Sequence, residues 1–180
     1  MSRRLLSIAA ILVALALAPA SANAAGITGT NGSALPKRYA AWVASSAAPL
    51  PRGPVEVNLQ DCPSGARWFA GCAFVDRGHI YLGKEARYVD RFFHELGHIF
   101  DDRTMTDGLR ARFAILIGRP GEWGWTATSK NPPIEQFAEA YSMCARHRQI
   151  KAVAYGMYNY TPTPAVHRRA CALIREAAVA

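Results

Sequence analysis

Between Val89 and Phe100 the apolar residues Val89, Phe92, Phe93, Leu96, Ile99 and Phe100 recur at helical spacing, giving one wide apolar face. The same period returns three times downstream. A second helix is predicted from about Asp107 to Ile117, with Thr106 as its N-cap and Gly118 and Pro120 as its stop. Pro132 and Pro133 open a third, whose core side is Ile134, Phe137, Ala138 and Tyr141. Thr163-Pro164 opens the last, which carries Val166, Ala170, Leu173, Ile174 and Ala177. Upstream the pattern shortens. Val55 to Leu59 alternates as a strand does. Arg67 to Val75 holds Trp68, Phe69, Phe74 and Val75, with Gly71 marking a bulge. Asp76-Arg77-Gly78 is a turn, and His79 to Leu82 returns as another strand. Residues 55–83 thus read as a small antiparallel sheet, and the whole as an α+β fold, sheet first and helices after. Residues 25–54, rich in Gly, Ser, Ala and Pro, read as a flexible leader with one short helix near Lys37–Ser45. The folded domain is then 55–180, and no internal repeat interrupts it.

The first 24 residues read as a signal peptide. Arg3 and Arg4 precede an apolar run from Leu5 to Ala18, Pro19 breaks it, and Ala22-Asn23-Ala24 is an A-x-A cleavage site. The run is too short to span a bilayer comfortably, so the exported chain is expected to make no stable membrane insertion. The expected location is secreted, extracellular. A length of 180 residues with 51% apolar and 19% charged positions suits one domain, a monomer, and excludes a disordered tail or a multi-span membrane protein. The net charge of +8 falls by two when Arg3 and Arg4 leave. The rest is scattered, with no Lys/Arg run above two and no nucleic-acid motif, so nucleic acid is not an expected partner. Export also bears on the four cysteines. An even count in a small exported domain predicts two disulfides. The favoured pairs are Cys62–Cys72 and Cys144–Cys171, because each joins adjacent predicted elements. No C-x2-C spacing supports a cysteine-ligated zinc.

The first predicted helix carries His94-Glu95-Leu96-Gly97-His98, an H-E-x-x-H motif. Residues i and i+4 lie about 40° apart around a helix, so both imidazoles can reach one ion. The pair falls away from Phe92, Phe93, Ile99 and Phe100. Glu95 stands beside it, able to take a proton from a water on the metal. One Zn2+ is the natural cofactor, since it accepts imidazole and carboxylate and acidifies its water to a pKa of about 7. A third protein ligand is needed. Ten residues after His94 comes Thr104, so a compact third histidine is absent. Asp101 and Asp102 lie on the next turn, where supporting a ligand suits them better than binding. Glu122, in a Gly-flanked loop, is a possible ligand, and Trp123 and Trp125 beside it either wall a substrate cleft or, as tryptophans in a loop more often do, cap the core. The strongest candidates are Glu135 and Glu139, again i and i+4. One can bind zinc while the other accepts a hydrogen bond from a ligand imidazole.

The run from Phe93 to Asp102, followed by Glu135-Gln136-Phe137-Ala138-Glu139-Ala140-Tyr141, resembles the lethal-factor-like gluzincins, which include secreted Pro-Pro endopeptidases. The resemblance covers roughly residues 76–178. It implies zinc on His94, His98 and Glu135, with Glu95 as base and Glu139 behind a ligand. Those relatives also place an oxyanion-stabilising tyrosine just before the third-ligand helix. Here no Tyr or His occurs between Ile99 and Ile134. The donor candidates are instead Tyr155, Tyr158 and Tyr160, after that helix, or an arginine.

The expected function is therefore a secreted zinc metalloendopeptidase acting on a peptide or protein substrate. The strand His79–Leu82 would pair with the peptide if it is the sheet edge nearest the metal. Two alternatives stand beside it. One is a non-catalytic exported zinc-binding domain, an adhesion or inhibitor module. The other is a cationic envelope-binding protein with fortuitous histidines.

Overall fold

The first strand lies inside the segment read as a leader. A computed structural model describes residues 26–63, 70–124 and 131–180, so the signal segment 1–24, Arg67 to Phe69 and Trp125 lie outside the described residues. The strands are β1 (Ile27–Gly29), β2 (Val55–Asn58), β3 (Gly71–Phe74) and β4 (His79–Leu82). The helices are α1 (Lys37–Ser45), α2 (Val89–Thr104), α3 (Asp107–Leu116), α4 (Pro133–Arg146) and α5 (Pro164–Val179). A mixed α/β chain with a small sheet preceding most of its helices agrees with the α+β reading at that level.

The sheet order is β1-β2-β4-β3, and the sheet is mixed rather than antiparallel. β1 runs parallel to β2, with Ile27 opposite Val55, and β2 runs parallel to β4, with Val57 opposite Ile80. Only β3 and β4 are antiparallel, with Cys72 opposite Tyr81. The connections explain this. β3 and β4 are joined by a tight turn closed by Gly78 at φ +70°. β1 and β2 are joined through α1, a crossover long enough to bring the chain back in the same direction. Gly71 pairs in register with Leu82, without the expected bulge. β4 is interior, so the edge near the helices is β3, not His79–Leu82.

Residues 26–54 are not a loose leader. Tyr39 is buried, with its ring 5.3 Å from Phe92 and 4.8 Å from Trp42, both edge-on. The Tyr141 hydroxyl on α4 donates to the Pro49 carbonyl at 2.8 Å, and Ala47 N–H donates to Ala145 O at 2.8 Å. These groups would be unsatisfied if the segment left.

Helix starts follow their local signals. Thr106 Oγ1 accepts from Leu109 N–H and Thr163 Oγ1 from Val166 N–H, while Pro133 opens α4. α2 and α4 form the most extensive element pair. Phe92, Leu96, Ile99, Phe100, Phe113, Phe137, Tyr141 and Ile174 are the centre of the core. Both predicted disulfides are present: Cys62–Cys72 ties the loop after β2 to β3, and Cys144–Cys171 ties α4 to α5.

Candidate metal centre

Two small residues let α2 and α4 touch. A Cβ at Gly97 would lie 2.8 Å from Ala138 Cα and 3.0 Å from its carbonyl oxygen, so only glycine allows this approach. His94 and His98 stand three residues before and one after Gly97. Glu135 and Glu139 stand three before and one after Ala138. Each helix thus presents its i, i+4 pair on the same turn relative to the contact, and the two pairs meet.

His94 Nε2 lies 3.0 Å from Glu135 Oε2, and His98 Nε2 lies 3.4 Å from Glu135 Oε1. His94 Nδ1 faces Glu139 Oε2 at 3.5 Å, the outer limit of a hydrogen bond, and neither atom has a closer partner. His94, Glu95, Glu135 and Glu139 are buried, and His98 is nearly so. The histidines were expected on a face turned from the core. They are buried because α4 covers that face. Burial alone would lower the His94 imidazole. The hydrogen bond His94 donates to Glu135, with the carboxylates of Glu139 and Glu95 nearby, outweighs it and lifts His94 from 6.5 to about 9. Burial would raise Glu135, but the two imidazoles hold it well below the usual carboxylate range.

Ligand atoms of His94, His98 and Glu135 all lie within 4.8 Å of one another. Two imidazoles and a carboxylate, withdrawn from water and converging, form a donor set that could hold a divalent metal ion. Cys144, His167 and Cys171 also converge, but their sulfurs are spent in a disulfide and offer no thiolate.

Around this set, Glu95 is raised chiefly by burial, against the pull of His98, His94 and Arg91. It sits under the start of β3, where a Cβ on Gly71 would come 2.8 Å from Glu95 Oε1 and 3.2 Å from the Arg91 stem. Of the three tyrosines, only Tyr158 reaches the ligands. Its ring stacks on His94, with centroids 5.5 Å apart and planes 17° off parallel. Tyr158 and Asn159 both take φ +55°, and Gln136 Nε2 donates to the Tyr158 carbonyl at 2.9 Å, which fixes the turn. The phenol feels the charges of Glu135 and Arg91. Burial first, then Glu135, pushes it up to about 12, so it remains a donor at neutral pH. Tyr160 is buried, its hydroxyl unpartnered, its ring 6.4 Å from Phe113. Tyr155 is 85% exposed and outside the site.

Asp101 does not hydrogen-bond a ligand imidazole. It accepts from Arg110 Nε at 2.8 Å, with His98 only in electrostatic range. Asp102 is exposed. Glu122 pairs with Arg119, and Trp123 packs on Phe113 and Phe137 as a cap. Arg91 was not singled out from the sequence, and Gly71 only as a bulge, not as a neighbour of the site. Arg91 precedes His94 by one turn, a signal available only once His94 was taken as a ligand. Gly71 carried none. No family model matches the chain, and no curated protein or solved structure does so either.

Proposed function

We propose that the chain is an exported zinc-dependent metallopeptidase of compact gluzincin type. The observation that carries this is the convergence of His94 Nε2 and His98 Nε2 on Glu135, with Glu95 buried on the adjoining turn. His94, His98 and Glu135 would hold the ion, and Glu139 would orient His94 from its other nitrogen. Zinc bound there supplies Lewis acidity toward a carbonyl and acidifies a water. Glu95 takes the proton of the attacking water and passes it to the departing amine. Its raised affinity for protons suits a group that must both accept and return one. The Tyr158 phenol, placed by stacking on His94, donates to the oxyanion. Among the described residues β3 pairs only with β4, and an extended peptide can add to its other edge, near Glu95, as a further strand. Gly71, lacking a Cβ, lets the start of β3 lie this close to Glu95. Two disulfides suit an oxidising compartment, and among the described residues no helix is long and apolar enough to cross a membrane.

The test is Glu95→Gln, assayed on unstructured peptides with metal content measured in parallel. The variant should keep its zinc and lose about 10²–10⁴-fold in rate. Equal rates in parent and variant would sink the peptidase reading. Stoichiometric zinc with no turnover in the parent would favour the non-catalytic module.

A further inference from the structure

From Ala140 to Arg175 the chain carries Arg146, Arg148, Lys151, Arg168, Arg169 and Arg175, and no Asp or Glu. Arg146 lies 3.9 Å from Glu139. Among the described residues, Arg148, Lys151, Arg168, Arg169 and Arg175 enter no ion pair. This fifth of the protein therefore projects uncompensated positive charge, which seeks an anionic partner.

The loop between α4 and α5 narrows the choice. It sets Arg148 and Lys151 in solvent together with Val153, 46% exposed, and Tyr155, 85% exposed. An open pocket of about 360 Å³ adjoins it, lined by Arg146, His147 and Lys151 and by apolar Met143 and Ile150. An inorganic polyanion rewards the cations but gains nothing from an exposed valine and tyrosine, and the chain carries no nucleic-acid motif that would add base stacking. A bilayer interface rewards both, because tyrosine seats at headgroup level and an aliphatic side chain enters the acyl boundary. We infer that residues 147–155 and the adjoining pocket dock the protein on an anionic phospholipid surface, a headgroup phosphate sitting between Arg146 and Lys151. The loop continues through Gly156 to Tyr158, which lies on His94, so docking holds that site near the bilayer. The inference does not depend on a metal.

All described core residues fall between Ile27 and Ala177, so the chain from Ala25 onward can be used, free of the apolar run Leu5–Ala18. It is sedimented with vesicles of phosphatidylglycerol and phosphatidylcholine in equal parts, with vesicles of phosphatidylcholine alone, and titrated with soluble polyphosphate. Binding should require phosphatidylglycerol. Arg148→Ala and Lys151→Ala should each weaken it about fivefold, the worth of one cation near such a surface. The double variant Val153→Ser, Tyr155→Ser should weaken vesicle binding about tenfold and leave polyphosphate binding unchanged. These four residues are exposed, and unchanged thermal melting confirms that the variants fold. Equal binding to both vesicle types, or anionic-vesicle binding insensitive to the serine variant, overturns the inference. The second result would make the patch a polyanion site.

Discussion

His94 faces a carboxylate at each of its ring nitrogens, Glu135 3.0 Å from Nε2 and Glu139 3.5 Å from Nδ1. Glu135 alone also reaches His98, so its two oxygens span the pair of imidazoles while Glu139 stands behind one of them. Glu135→Ala should therefore lose most zinc affinity. Glu139→Ala should lose about 10–100-fold, the usual loss when a group orienting a ligand is removed. Dissociation constants from chelator competition decide it, and the roles are reversed if Glu139→Ala is the variant that empties. The same contacts give the metal-free protein a pH dependence. His94 is raised from 6.5 to about 9, so its stabilising contribution is complete below 6.5 and is lost as pH rises through about 9. Glu135 is lowered from 4.5, so its contribution is complete above 4.5 and is lost only as pH falls below that. Urea unfolding of the metal-free protein should show stability falling by on the order of 2 kcal/mol between about pH 6 and about pH 9. With metal bound, His94 is held neutral and that alkaline loss should disappear. A metal-free protein equally stable at both pH values would mean that His94 is not held charged.

The contact between α2 and α4 rests on Gly97 against Ala138, and here two general rules give opposite signs. In an open helix, replacing glycine by alanine stabilises by about 0.5–1 kcal/mol. At position 97 the new methyl meets backbone atoms of Ala138 and Tyr141 Cβ at 3.2 Å, none of which is a flexible end that can yield. Gly97→Ala should therefore destabilise by about 1–3 kcal/mol, the range for an overfilled core. It should also weaken zinc binding, because parting the helices moves Glu135 from both histidines. A variant that melts above the parent would show that the helices do not touch there. Much of this was legible beforehand: the H-E-x-x-H on an amphipathic helix, the second i, i+4 pair after a proline, the cap at Thr106, the start of the last helix at Thr163-Pro164, and both disulfides. The burial of the histidines was not, because a helix's own period marks one apolar face and cannot reveal that a neighbour covers the other. Nor was the edge strand. Alternation identifies β4 as a strand, but its place between β2 and β3 follows from partners whose order no single strand encodes. Among three nearby tyrosines, only the paired left-handed turn at Tyr158 and Asn159 selects one, and neither residue advertises that conformation as a glycine would.

At the scale of the whole molecule, the largest departure from the sequence reading is the segment 26–54. Its Gly, Ser, Ala and Pro content hides a three-residue strand whose parallel pairing depends entirely on β2. The helix α1 was legible, but not its docking. Tyr39 and Val43 are one turn apart and both buried, while Arg38 stacks its guanidinium 5.0 Å from the Tyr39 ring. The segment then crosses to α4, where Ala47 and Pro49 bond Ala145 and Tyr141. It thus braces both helices of the candidate centre: Tyr39 lies against Phe92, two residues before His94, and Pro49 receives Tyr141, two residues after Glu139. If this is part of the fold rather than a leader, removing one buried ring must cost what core aromatics cost, about 3–5 kcal/mol. Tyr39→Ala is the test, measured by urea unfolding. Lys37→Ala, at an exposed position of the same helix, is the control and should change stability by less than about 0.5 kcal/mol. A leader loosely apposed to the domain would give the same small change for both. The packing described here requires Tyr39→Ala to unfold at markedly lower urea while Lys37→Ala stays with the parent.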